Sequence, residues 1–396
     1  MDDNLRAFIE GMPKTELHTH IEGTLEPELM FRLAAKNGVQ LPYANIEEAK
    51  EKRRQYKDLW DFLNHYYTAM SVLKTEQDFY DLAYAYLEKA KSQNVTHTEI
   101  FFDPQEHIKN GVAFETAING IHRAQEEAEK KLGVTSQLHM HFLRHLPEED
   151  AFKVLEQAMP HMDKIDGFGL DSGEQGNPPE KFERLYMKLA EITDAKTGEP
   201  KGLMMHAGEE GPADYVRQAL RIMKKAWDTA AEKLPVKPKQ RKIRIDHGNH
   251  ALDDDTVVAE MMTPGEEVGH TVCPYSNLRL THTLDFATNR KLTDLKDHRL
   301  KEMLQKTKPN INSDDPAYFR TDANEGAYMN ENLIGVTDKL GLTKADVIKL
   351  ENNAIDISFL PETEKAQRRH RLGEYIARAE ILEKRTKMGA DTQVAV

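Results

Sequence analysis

Short apolar runs that end in polar residues recur along this chain, each followed by a longer charged stretch with helical spacing. No other feature limits the fold as much. The runs are Thr15 to Ile21, Val95 to Phe102 (VTHTEIFF), Ser136 to Leu143 (SQLHMHFL), Ile165 to Leu170 (IDGFGL), Gly202 to His206 (GLMMH), Lys242 to Asp246 (KIRID), Val268 to Cys273 (VGHTVC) and Asn310 to Ser313. Between them lie segments such as Gln77 to Gln93 (QDFYDLAYAYLEKAKSQ), apolar on one face and charged on the other. Strand alternating with helix marks parallel α/β architecture. Eight strands over roughly 300 residues predict a closed (β/α)8 TIM-type barrel rather than an open sheet.

No linker divides two cores, so the 396 residues are expected to form a single barrel domain. Asp194 to Lys201 (DAKTGEPK) and Glu232 to Lys242 (EKLPVKPKQRK) read as surface insertions, rich in Pro, Gly and Lys. After Pro361 a C-terminal helical extension is predicted, charged, and fraying into a polar tail after Met388. With 54 basic and 67 acidic residues the net charge is −13, which opposes a general nucleic-acid surface and leaves small neutral or cationic substrates open. No run approaches the ~18 to 20 apolar residues of a membrane helix. The N-terminus, MDDNLRAFIEGMPKTELHTH, opens acidic and lacks the apolar core of a signal peptide. A single cysteine, Cys273, excludes an intrachain disulfide framework and a thiolate-rich structural zinc site. A cytoplasmic protein with neither membrane nor nucleic-acid partner is expected.

Chemistry concentrates at the ends of the runs. His18 and His20, in ELHTHIEG, are two apart on a strand and therefore share a face. A divalent metal uses two such lone pairs, although an isolated pair also reads as bonding backbone or water. His139 and His141 repeat the spacing without a companion carboxylate and with cationic Arg144 nearby, and are read as structural. His206 closes GLMMH, and Glu209 in the following HAGEEGP loop can reach a reacting atom beside a metal held by His206. His247 ends KIRIDH before a glycine. His250 and Asp253 to Asp255 are read as solvated residues opening the next helix, where carboxylates favour the N-terminus. Asp314 and Asp315 end the last run, and adjacent aspartates are costly to bury unless each has its own cation or donor. One would sit on a metal, the next on substrate. Together these strand ends carry the parts of a hydrolytic zinc site in a barrel mouth, with the electrophile left open.

The stretches ELHTHIEGTLEPELM, EIFFDPQEH, GFGLDSGEQGNPPEKF, HAGEEGP, IRIDHG, TVCPYSNLRL and NINSDDPAYF occur in that order from residue 12 to about 320. In them the chain resembles the adenosine/adenine deaminase family of the metal-dependent amidohydrolase superfamily, and most of all its adenine deaminases. The resemblance implies one Zn2+ per chain, held by His18, His20, His206 and Asp314. Glu209 would protonate purine N1, His247 would orient and deprotonate the attacking water, and Asp315 would accept from or donate to N7. The implied reaction is adenine to hypoxanthine and ammonia, in purine salvage. Adenosine, another 6-aminopurine nucleoside, and the substrate of another amidohydrolase class stand as alternatives. The other zinc base deaminases need a P-C-x-x-C pair that one cysteine cannot supply. After SDDPAYF this chain continues RTDANEGAY, where adenine deaminases usually place glycines. Glu22, where the nucleoside enzymes carry Asp, is expected at the barrel mouth in space a ribose would need. The plainer expectation is that it pairs with a cation such as Arg279.

Overall fold

In the computed structural model of the protein, each of the eight apolar runs carries a strand. The structure describes residues 1–54, 56–234, 238, 240–280, 282–285, 290–321, 323 and 326–394. The strands are β1 (Lys14–His20), β2 (Val95–Phe102), β3 (Thr135–Leu143), β4 (Gly167–Asp171), β5 (Gly202–Ala207), β6 (Ile243–His247), β7 (His270–Val272) and β8 (Pro309–Ile311). They pair in parallel, in chain order, from β1 to β8. A parallel bridge between Thr19 and Asp314 joins the two ends of the sheet, with His20 N–H donating to Asp314 O and Asp314 N–H to His18 O. The architecture is a (β/α)8 barrel, as the alternation predicts. Strands β7 and β8 are shorter than their runs. Beyond β7, Pro274 starts a helix at once; beyond β8, Asp314 turns the backbone to φ 64°.

Amphipathic helices cover the outside, as parallel sheets buried on both faces require. The Phe114–Leu132 helix shows the pattern, burying Phe114, Ala117, Ile118, Ile121, Ala124 and Ala128 at helical spacing. Its neighbour Glu76–Ser92 is started by a reciprocal capping box between Thr75 and Asp78. The long β1–β2 connection carries additional helices, including Leu59–Met70.

The 194–201 insertion closes on itself through a Thr193–Pro200 bridge and a Gly198 N–H to Asp194 O bond. The 232–242 insertion and the RTDANEGAY departure lie partly outside the described residues. A two-stranded ribbon, Thr283–Asp285 with Arg290–Lys291, was not legible in the sequence. The C-terminal helix spans Glu362–Val394, so backbone drawn as a polar tail after Met388 stays helical. Arg368 ties this helix to the barrel by donating to Thr96 and Thr135 hydroxyls, and Tyr375 by donating to Phe8 O. Among the described residues no helix is long and apolar enough to cross a membrane.

Candidate active site

The seam that closes the barrel also assembles its site. Pairing Thr19 with Asp314 sets the Asp314 carboxylate between the two imidazoles flanking Thr19. His18 Nε2 lies 3.3 Å from Asp314 Oδ1 and His20 Nε2 lies 3.5 Å from it. From β5, His206 Nε2 comes within 3.3 Å of His20 Nε2. All four side chains are buried. Ligands about 2.0–2.1 Å from a tetrahedral zinc stand ~3.4 Å apart, close to these separations. His18 Nε2 has no hydrogen-bond partner despite its burial, as a nitrogen reserved for a metal would not.

The opposite ring nitrogens are backed by carboxylates. Thr271 Oγ1 donates to Asp246 Oδ1 at 3.0 Å, so at 2.7 Å it accepts from His18 Nδ1–H. The proton is thereby fixed on Nδ1 and the Nε2 lone pair faces inward, the tautomer a metal ligand needs. His206 Nδ1 lies 3.7 Å from Asp246 Oδ2, and His20 Nδ1 lies 3.5 Å from Asp171 Oδ2. Buried Arg244 bridges Asp246 to Glu99 and donates to Leu17 O, anchoring this layer below the mouth. The residues present fit a metal ion.

A small cavity opens above them, lined by His20, His206, Glu209, His247, Asp314 and Asp315 at its floor. Its roof is the Leu59–Met70 helix, whose Leu59, Phe62, Leu63 and Tyr66 recur at helical spacing on the inner face. Asn94, Ser172, His247 and Asp314 are the non-glycine residues at positive φ among the described residues, and the last three line this cavity. Such backbone costs about 1–3 kcal/mol per residue and concentrates at functional sites. Gly23 permits the close approach of Asp315, since a Cβ there would stand 2.0 Å from Asp315 Oδ1.

Charge at the floor is unevenly held. Burial pushes the Glu209 carboxyl well up, helped by the negative charge of Asp314, Glu210 and Glu174. Burial and the charge of Asp314 likewise push Asp315 well up. For Asp314 burial acts in the same direction, but His18, His247 and His20 outweigh it and hold the carboxyl low. Burial keeps His247 neutral, its Nε2 3.6 Å from Glu209 Oε1 and 3.8 Å from Asp314 Oδ2.

Glu174 was not singled out in the sequence, yet it shapes the loop carrying Glu209. Its carboxylate accepts from the backbone N–H of Gly208, Glu209, Glu210 and Gly211 at 2.8–3.0 Å. Replacing Glu174 by Ala leaves these donors without their acceptor, a loss of at least ~2 kcal/mol. The thermal unfolding midpoint should fall while metal content, measured on the purified variant, stays at the wild-type level. Unchanged unfolding would show the clamp to be idle.

All seven sequence-selected residues meet at this mouth. Other expectations need correction. His250 is buried, not solvated, with Nδ1 2.6 Å from Asp253 Oδ2; Asp254 caps the next helix through Thr256 N–H. His141 does have a carboxylate companion, Asp171 at 3.2 Å, supplied by the neighbouring strand. His139 stacks on Phe359. Arg144, beside this pair in sequence, donates from its guanidinium to the carbonyls of His206 and Asn177. Glu22 pairs with His107 Nε2 at 2.7 Å and accepts from Asp103 N–H and Tyr66 OH, whereas Arg279 donates to Arg320 O. Glu22 stands behind the cavity wall rather than in it.

Geometry of this kind places the protein among the metallohydrolase barrels. The family model for adenosine deaminase matches residues 13–375, and the chain belongs to that family. It is 46% identical over 367 residues to an adenine deaminase of Rhodospirillum rubrum, covering 92% of this chain and 97% of the relative. With an adenine deaminase of Vibrio parahaemolyticus it shares 42% over 376 residues, covering 94% and 98%. The crystal structure of adenine deaminase from Arthrobacter aurescens superposes with a TM-score of 0.79 at 40% identity, over 93% of this chain and 100% of that one. An amidohydrolase from Burkholderia ambifaria solved with bound Zn shares the fold, at TM-score 0.76 and 23% identity, over 100% and 96%.

Proposed function

We propose that the chain hydrolyses adenine to hypoxanthine and ammonia with one zinc ion held by His18, His20, His206 and Asp314. The observation that carries this reading is the buried Glu209 beside that ligand set, in a chain 42–46% identical to proteins named adenine deaminase. When bound, zinc supplies Lewis acidity and lowers the pKa of water toward ~7.

The remaining work falls to side chains. Adding oxygen at C6 breaks the aromaticity of the ring and drives electrons onto N1. Glu209 gives its proton to N1 in that step, so no isolated negative charge develops. His247, neutral and beside Glu209, holds the attacking water and takes its proton. Asp315 accepts from or donates to N7 and sets the ring's orientation. His247 then returns the water's proton to the departing nitrogen, Glu209 recovers its own from the C6 hydroxyl as the carbonyl forms, the C6–N bond breaks and ammonia leaves. Leu59, Phe62 and Leu63 offer the apolar wall a flat base needs and keep bulk water from its face.

Ammonia release across a panel of purines tests the substrate. Adenine should exceed adenosine by more than about tenfold in kcat/KM, a gap above ~1.4 kcal/mol. Equal turnover of adenosine would overturn the base-specific reading and leave the metal site standing.

A further inference from the structure

Beside the cavity a buried row of polar side chains runs from a backbone amide to Glu209, and its donor direction can be followed link by link. Leu300 N–H, which can only donate, points at His298 Nδ1 at 3.1 Å. That nitrogen must accept, so neutral His298 carries its proton on Nε2, which faces Asn277 Oδ1 at 3.3 Å. The amide of Asn277 is therefore oriented with its oxygen toward His298. Its Nδ2–H then donates to His282 Nδ1 at 3.2 Å. By the same logic His282 holds its proton on Nε2. That Nε2 has no partner with hydrogen-bond geometry, and Glu209 Oε1 lies 3.4 Å away. Burial keeps both imidazoles neutral, at about 4 for His298 and about 3 for His282.

We infer that His282 is a positioning residue for the acid: its Nε2–H holds Glu209 Oε1 as an acceptor, so the transferable proton resides on Oε2. Long contacts of this type are common in sites without substrate and tighten when it binds. Asn277 acts through His282 by selecting its tautomer, as a buried orienting group does for a catalytic imidazole. The inference rests on Glu209 serving as the proton donor to the base.

The test combines a direct readout with kinetics. In protein labelled with 15N-histidine, the His282 resonance, assigned by its loss in His282→Gln, should show a proton on Nε2 and none on Nδ1. His282→Leu should lower kcat for adenine about tenfold or more with KM within about twofold and metal content unchanged. His282→Gln, which can still donate to Oε1, should recover part of that loss. Asn277→Asp keeps the shape but offers His282 Nδ1 an acceptor in place of a donor, and should also lower kcat. A proton on Nδ1 of His282, or full kcat in His282→Leu, would overturn the assignment. If the wild-type protein releases no ammonia from adenine, the substrate reading fails, and the tautomer measurement still decides the orientation of His282.

Discussion

His206→Ala should strip the protein of its metal and reduce ammonia release to background. His206 is one of the four proposed ligands, and its Nε2 is the near neighbour of His20 Nε2. Its removal leaves two imidazoles and a carboxylate around an enlarged opening, a poor match for tetrahedral zinc. The methyl group of alanine also abandons Asp246 Oδ2, which faces His206 Nδ1 and has no hydrogen-bond partner of its own. Metal content by elemental analysis should fall from about one ion per chain to near zero. A control is built into the fold: His139, with the same HxH spacing as the ligand pair, stacks on Phe359 below the site, and His139→Ala should keep its zinc. A His206→Ala protein with stoichiometric zinc and full turnover would sink the ligand assignment.

The acid should separate cleanly from the ligands. Glu209→Gln should retain its zinc while kcat for adenine falls by about 10² or more, equivalent to ~2.7 kcal/mol of barrier. The carboxamide fills the same space and can still contact His282 and His247, but it has no proton to transfer to N1. Burial and neighbouring carboxylates push the native carboxyl up, the direction a proton donor needs. Loss of zinc in the variant would mean that Glu209 is a ligand and that the division of roles is wrong. A rate within a factor of two of wild type would mean that another group protonates the base.

The helix that roofs the cavity shows where sequence reading stops. LWDFLNHYYTAM places Leu59, Phe62, Leu63 and Tyr66 at helical spacing, a pattern that a helix buried in the core would share. Nothing in the spacing says that the covered surface is a substrate. Glu174 is similar: one glutamate in a polar loop has no local mark of its role, because its four partners lie more than thirty residues away. His250 is a further case, because its backbone N–H is taken up by Gly208 O, from the loop after a different strand.

The alternation of apolar runs determined the parallel α/β class, because amphipathic helices bury both faces of a parallel sheet, and the count of eight runs pointed to the closed barrel. Residue type at the strand ends determined the ligand and acid candidates, because parallel strands bring those ends to one mouth. Local spacing could go no further. The bridge between Thr19 and Asp314 that sets ligand separations, the carboxylates behind the imidazoles and the amide that selects the tautomer of His282 are contacts between distant segments. Only the tertiary structure decided them, because the protonation and orientation of a buried polar group follow from which partner packing delivers to it.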